Sequence, residues 1–176
     1  MAESHRPTPR QAPSWGSSIV DGLVAGLIGA AAVALWFLVM DLLFREPFYT
    51  PGALGSLVFL GVGGAEDVVI SAGTVLGYTI LHVTAFLLLG VVVSTVLTGV
   101  ETNPGLFGAA VILFTISAVV FIGLVTFLGV WLLAEMALWA VLVGNLLAAA
   151  AMVVYLGRRH PVLREELRGD TMWRKI

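Results

Sequence analysis

Cysteine is absent from the 176 residues, which removes disulfides, thiolate nucleophiles and cysteine metal sites at once. Charge is scarce: Asp, Glu, Lys and Arg make up 11% of the chain, against about 25% in soluble domains. No GxSxG, HExxH or Walker loop occurs, and Ser94 and Ser117, which fall in apolar runs, have no base placed near them by sequence. Enzyme classes that depend on these parts are therefore unsupported. Nine basic residues against eleven acidic ones, a net charge of −2, give no footprint for nucleic acid.

What is present in excess is apolar surface. The hydrophobic share is 59%, against roughly 45–50% in soluble proteins, and the mean hydropathy is +1.02. A water-soluble fold of this length could not bury it, so the expectation is a single all-α membrane domain. Four segments, 19–44, 72–98, 105–128 and 132–156, each reach the length of about 20 residues that crosses a hydrocarbon core. Lipid offers backbone amides no partner, so the spans are expected to be helices forming a transmembrane four-helix bundle. The third and fourth are nearly continuous, separated by little more than Gly129 and Trp131.

The polar ends frame that domain. Residues 1–18 are rich in Pro, Ser and Arg and read as a disordered arm. The apolar run after Asp21 is too long for a signal-peptide core, so the first span is expected to remain as a signal-anchor. Gly157 followed by Arg158 and Arg159 reads as a helix stop, and 157–176 as a basic tail with six basic and three acidic residues. Such a tail favours anionic lipid weakly. Arg6 and Arg10 precede the first span, six basic residues follow the last, and Arg45 alone lies between. An even number of crossings with basic ends places both termini in the cytoplasm and the 45–71 loop outside, in a bacterium at the periplasmic face of the inner membrane.

The stretch 36–61, WFLVMDLLFREPFYTPGALGSLVFLG, concentrates the unusual features. Asp41 lies inside the end of an apolar helix, and an intramembrane acid is a functional-site hypothesis by default. Thr50 and Pro51 suit the N-cap and first position of a further helix. The apolar run 53–60 is too short to span, so it is expected to lie in the interface or re-enter the membrane, ending at Gly61, Gly63 and Gly64 before Glu66 and Asp67.

Four polar positions inside the spans are candidates for chemistry: Asp41, His82, Glu135 and Asn145. Asp41 and Glu135 fall about 14 Å from the midplane at 1.5 Å per residue, with His82 nearer the centre. Two carboxylates and an imidazole there could take up protons or a cation, the reading of a small proton- or ion-coupled carrier. Each group also has a structural reading. Asp41 precedes Arg45 by four residues, a favourable ion-pair spacing. Glu135 starts the fourth span, where the helix dipole favours an anion. Thr74, Tyr78 and His82 share a face at spacings of four, so His82 can bond within its helix or to a facing carboxylate. Asn145 suits a bond between helices. No cofactor is implied: haem would want a second axial ligand, and His5 and His160 lie in the end segments. Zinc is equally short of ligands.

Small residues supply the expected packing faces, Gly22, Gly26, Gly29 and Ala30 in the first span, Gly73 and Gly77 in the second, and Ala140, Gly144 and Ala148 in the fourth. Trp36, Trp131, Tyr78 and Tyr155 suit an aromatic belt.

The runs GLIGAAAVALWFLVMDLLF, PFYTPGALGSLVF, GYTILH and NLLAAAAMVVYLGRRHP together resemble a group of bacterial four-span membrane proteins that have no assigned activity. The resemblance spans about residues 22–161 and implies architecture and candidate positions. Together with the absent motifs, it leads to the expectation of a non-enzymatic accessory or structural subunit of a membrane assembly, with the bilayer, protein partners or further copies of itself as neighbours.

Overall fold

The computed structural model describes residues 15–106, 108, 112 and 138–159. Among them the chain is helical, with no strand. Helix α1 spans Trp15–Phe44, α2 spans Tyr49–Gly55 and runs on through a π-helical turn at Ser56–Leu60, α3 spans Ala72–Thr102, and α4 spans Leu138–Arg159. Three of these are long and apolar enough to cross a membrane, Gly16–Phe44, Ala72–Thr102 and Trp139–Arg159. The expected third span at 105–128, Glu135, Trp131, Ser117, the arm at 1–14 and the tail beyond Arg159 lie outside the described residues.

Helix α1 is the shared packing surface, with α3 on one side and α4 on another. It runs antiparallel to both. Ser18 meets Thr98 and Ala30 meets His82 on α3, while Asp21 meets Tyr155 and Trp36 meets Ala140 on α4. It follows that α3 and α4 point the same way.

The small residues make this approach possible. A Cβ built at Gly22 would lie 2.5 Å from the Cα of Val91. One at Gly26 would collide with the Phe86 carbonyl, and one at Gly90 with the Gly22 carbonyl. The α1–α3 contact is thus backbone against backbone, the arrangement by which helices associate where no hydrophobic effect draws them together. On the α4 side Gly144 faces the Trp36 and Phe37 rings, and Ala140 and Ala148 are buried. Ala25, Met152 and Leu156 form the core between them, with Phe86, Val93, Leu97 and Tyr155 packed around it.

Three boundaries differ from expectation. Helix α1 begins at Trp15 rather than Ile19, and its first turn brings Ser18 into the bundle, where its hydroxyl lies 2.6 Å from that of Thr98. Helix α3 continues past Thr98 to Thr102, and within this extra turn the Thr98 and Thr102 hydroxyls bond back to carbonyls of their own helix. Gly157 does not stop α4: it is buried within the helix, which continues to Arg159 and its ion pair with Asp21.

Candidate functional site

Asp41 lies at the end of α1 that faces α2, and its side chain is completely buried. Its two oxygens are both engaged by one residue. The Thr50 backbone N–H donates to Oδ2 at 2.8 Å and the Thr50 hydroxyl donates to Oδ1 at 2.7 Å. Thr50 is the second residue of α2, so Asp41 caps that helix from a neighbouring one. The cap residue itself is Phe48, in the left-handed conformation at φ 64°, and it makes no side-chain cap bond. The expected N-cap Thr50 with Pro51 first is corrected accordingly. Because the chain enters the helix two residues earlier, Asp41 supplies the acceptor that a capping side chain would have provided.

The amides of the first turn of α2 are then fully accounted for. Tyr49 N–H donates to the Glu46 carbonyl at 3.0 Å, Thr50 N–H goes to Asp41, and Pro51 has no N–H. Gly52 N–H begins the helical ladder on the Phe48 carbonyl. A seven-residue helix has little stability of its own. It is held by tertiary contacts: Ala53 is buried among Phe37, Leu57, Val68 and Val141, and a Cβ at Gly55 would collide with the Thr74 carbonyl.

A second polar clasp holds the returning chain. The Ser56 hydroxyl donates to the Val69 carbonyl and accepts from the Val69 N–H, both at 3.0 Å, as a strand partner would. Thr74 donates to the same carbonyl at 2.7 Å, and Ser71 and Thr74 close a capping box at the start of α3. The Asp41, Thr50, Ser56 and Thr74 side chains form a buried polar seam that pins α2 between α1 and α3. None of the four was expected to act in this way. The signal was available for Asp41 and Thr50, an acid in an apolar run followed nine residues later by a hydroxyl beside proline.

The remaining candidates lie elsewhere. The His82 Nε2–H donates to the Ala30 carbonyl of α1 at 3.2 Å, and its ring stacks with Tyr78 at 5.9 Å between centroids and meets Phe86 at a tilt at 4.8 Å. Ala30 and Asp41 are eleven residues apart on α1, about 16 Å along the axis. His82 and Asp41 are therefore separate sites. Asn145 is exposed, and its amide donates at 2.9 Å to the Val141 carbonyl one turn back rather than to another helix. Arg45 stands over the Tyr49 ring at 5.2 Å. At the opposite end, Asp21 accepts from the Tyr155 hydroxyl at 3.2 Å and pairs with Arg159 at 3.4 Å. No group of three metal-ligating side chains occurs among the described residues.

The geometry is that of acids and hydroxyls used to fasten helices: Asp41 at one end of α1, Asp21 at the other, twenty residues and about 30 Å apart. Comparison of the chain with models of protein families, with curated proteins and with solved structures finds no match.

Proposed function

We propose that the chain is a non-enzymatic integral membrane protein of four crossings, a small accessory or structural subunit of a membrane assembly. The observation behind this reading is that the two candidate groups for proton or ion transport, Asp41 and His82, are each engaged in fastening helices. Asp41 is bound on both oxygens by Thr50, and His82 is bound by Ala30 some distance away. A carrier would need these two groups together beside a polar path, and they are apart. Four crossings are supported by the shared direction of α3 and α4: α3 ends near Ser18 and α4 begins near Trp36, at opposite ends of α1. The basic residues flanking the spans support cytoplasmic termini, in keeping with the resemblance to bacterial four-span proteins.

The protein reconstituted in liposomes under an imposed pH gradient tests the reading against its alternative. No protein-dependent proton or cation flux is expected, and flux abolished by His82→Ala or Asp41→Asn would overturn it in favour of a carrier. Purification from native membranes in mild detergent tests the assembly. A stoichiometric complex is expected, and a lone monomer at native expression would count against a subunit role.

A further inference from the structure

Helix α2 and its π turn are patterned inside out. Thr50, Gly52, Ala53, Gly55 and Ser56, small or polar, are buried, while Phe48, Val58, Phe59 and Leu60 are 50–56% exposed. A helix lying on a water-covered surface shows the reverse, with its large apolar residues inward. Hydrocarbon imposes the pattern seen here, because polar groups left facing acyl chains would find no partner.

The spans show the same inversion and meet this patch. On α1, Asp41 is buried and Leu42, Leu43 and Phe44 beside it are exposed. On α3, Thr74 is buried and Leu76 and Ile80 are exposed. The Phe59 ring sits over Gly77, a Cβ at which would lie 2.8 Å from it, so the patch continues without a break onto α3. Backbone N–H groups at both ends of the segment find acceptors as well. The amides of Tyr49 and Thr50 have acceptors, and at the far end Gly61 N–H donates to Leu57 and Val62 N–H to Ser56. Gly61 then reverses the chain at φ 68° toward the exposed Glu66 and Asp67.

We infer that residues 48–60 form a re-entrant element seated among the acyl chains of one leaflet, with Val58, Phe59 and Leu60 against lipid and the Asp41 seam shielded behind them. The inference rests on the proposed membrane embedding and goes further, since a loop helix above the bilayer would satisfy that embedding equally well.

The chain has no cysteine, so single spin labels can be placed at will. Val58→Cys and Leu60→Cys report on the element, Ile80→Cys on the exposed face of α3, and Glu66→Cys on the polar turn. Collision with oxygen and with a water-soluble nickel chelate is read in phosphatidylcholine–phosphatidylglycerol vesicles. The oxygen-to-nickel ratio at positions 58 and 60 is expected to match position 80 and to exceed position 66 severalfold. If 58 and 60 behave like 66 while 80 stays oxygen-rich, the element lies in water and the inference falls while the embedding stands. If position 80 is also nickel-accessible, both fall. Immobilised labels at 58 and 60 reached by neither collider would place a protein partner over the patch and overturn the contact with lipid.

Discussion

Replacing Thr50 by valine removes one hydroxyl and almost nothing else. The site is buried, valine fills nearly the same volume, and the backbone N–H to Asp41 Oδ2 remains. What is lost is the 2.7 Å bond to Oδ1, which leaves that oxygen without a described donor in a region closed to water. A hydrogen bond to a charged acceptor contributes about 1.5–3 kcal/mol in water-soluble proteins, while bonds between membrane helices average lower. The expected cost is about 2 kcal/mol, roughly a 30-fold fall in the folded-to-unfolded ratio. Asp41→Ala should cost more, since it strands both Thr50 donors. Asp41→Asn should fall between, because the Thr50 hydroxyl can turn to accept from the new amide while the Thr50 N–H keeps the carbonyl. Reversible unfolding in mixed detergent micelles, followed by tryptophan fluorescence and circular dichroism, measures all three. The decisive quantity is the double-mutant cycle: in the Asp41→Ala background, Thr50→Val should cost little. A Thr50→Val protein within about 0.5 kcal/mol of the parent, or costs that simply add, would refute the role given to this clasp.

Other expectations follow from the same contacts. Gly90→Val should prevent the close approach of α1 and α3, because its Cβ meets the backbone of Gly22 and Gly26, and cross-linking between engineered cysteines on the two helices should drop sharply. His82→Phe should leave the bundle folded at a cost of about 1 kcal/mol, the worth of one bond to the Ala30 carbonyl, as read by the same unfolding assay. Ser18→Ala should cost about 1 kcal/mol or less, since Thr98 keeps its bond to the Ser94 carbonyl. Arg159→Gln should lower stability mainly at low salt, because Arg159 reaches its half-buried partner Asp21 from the solvent side and is screened as ionic strength rises, and a salt titration of the melting temperature checks it.

Much of the architecture was legible before any coordinates. Apolar runs of sufficient length must be helical if they are to leave no backbone group unpaired, so α1, α3 and α4 fall where hydropathy puts them. The Gly22, Gly26 and Ala140, Gly144, Ala148 faces were also readable, because in lipid close contact needs small side chains wherever it occurs. The details that escaped were helix ends, the cap of α2 and the pairings of polar groups. Gly157 looked like a stop because local propensity favours one there, but it is buried in α4 beside Met152, Tyr155 and Leu156 of the core, and tertiary packing overrides the propensity.

The candidate site shows the division most clearly. Composition alone determined that an acid at position 41 would sit in apolar surroundings, and that such an acid must find a partner. Which partner it finds was decided by the tertiary fold. Arg45, one helical turn away, and His82, on a facing helix, were both reasonable on spacing. The left-handed turn at Phe48 instead swings the start of α2 onto the carboxyl, so that Thr50, nine residues on, reaches it with two donors. Spacing along a helix predicts neighbours only while the chain stays helical, and between Asp41 and Thr50 it does not. Hence the need for a partner is written in the sequence, whereas its identity depends on how the chain turns back.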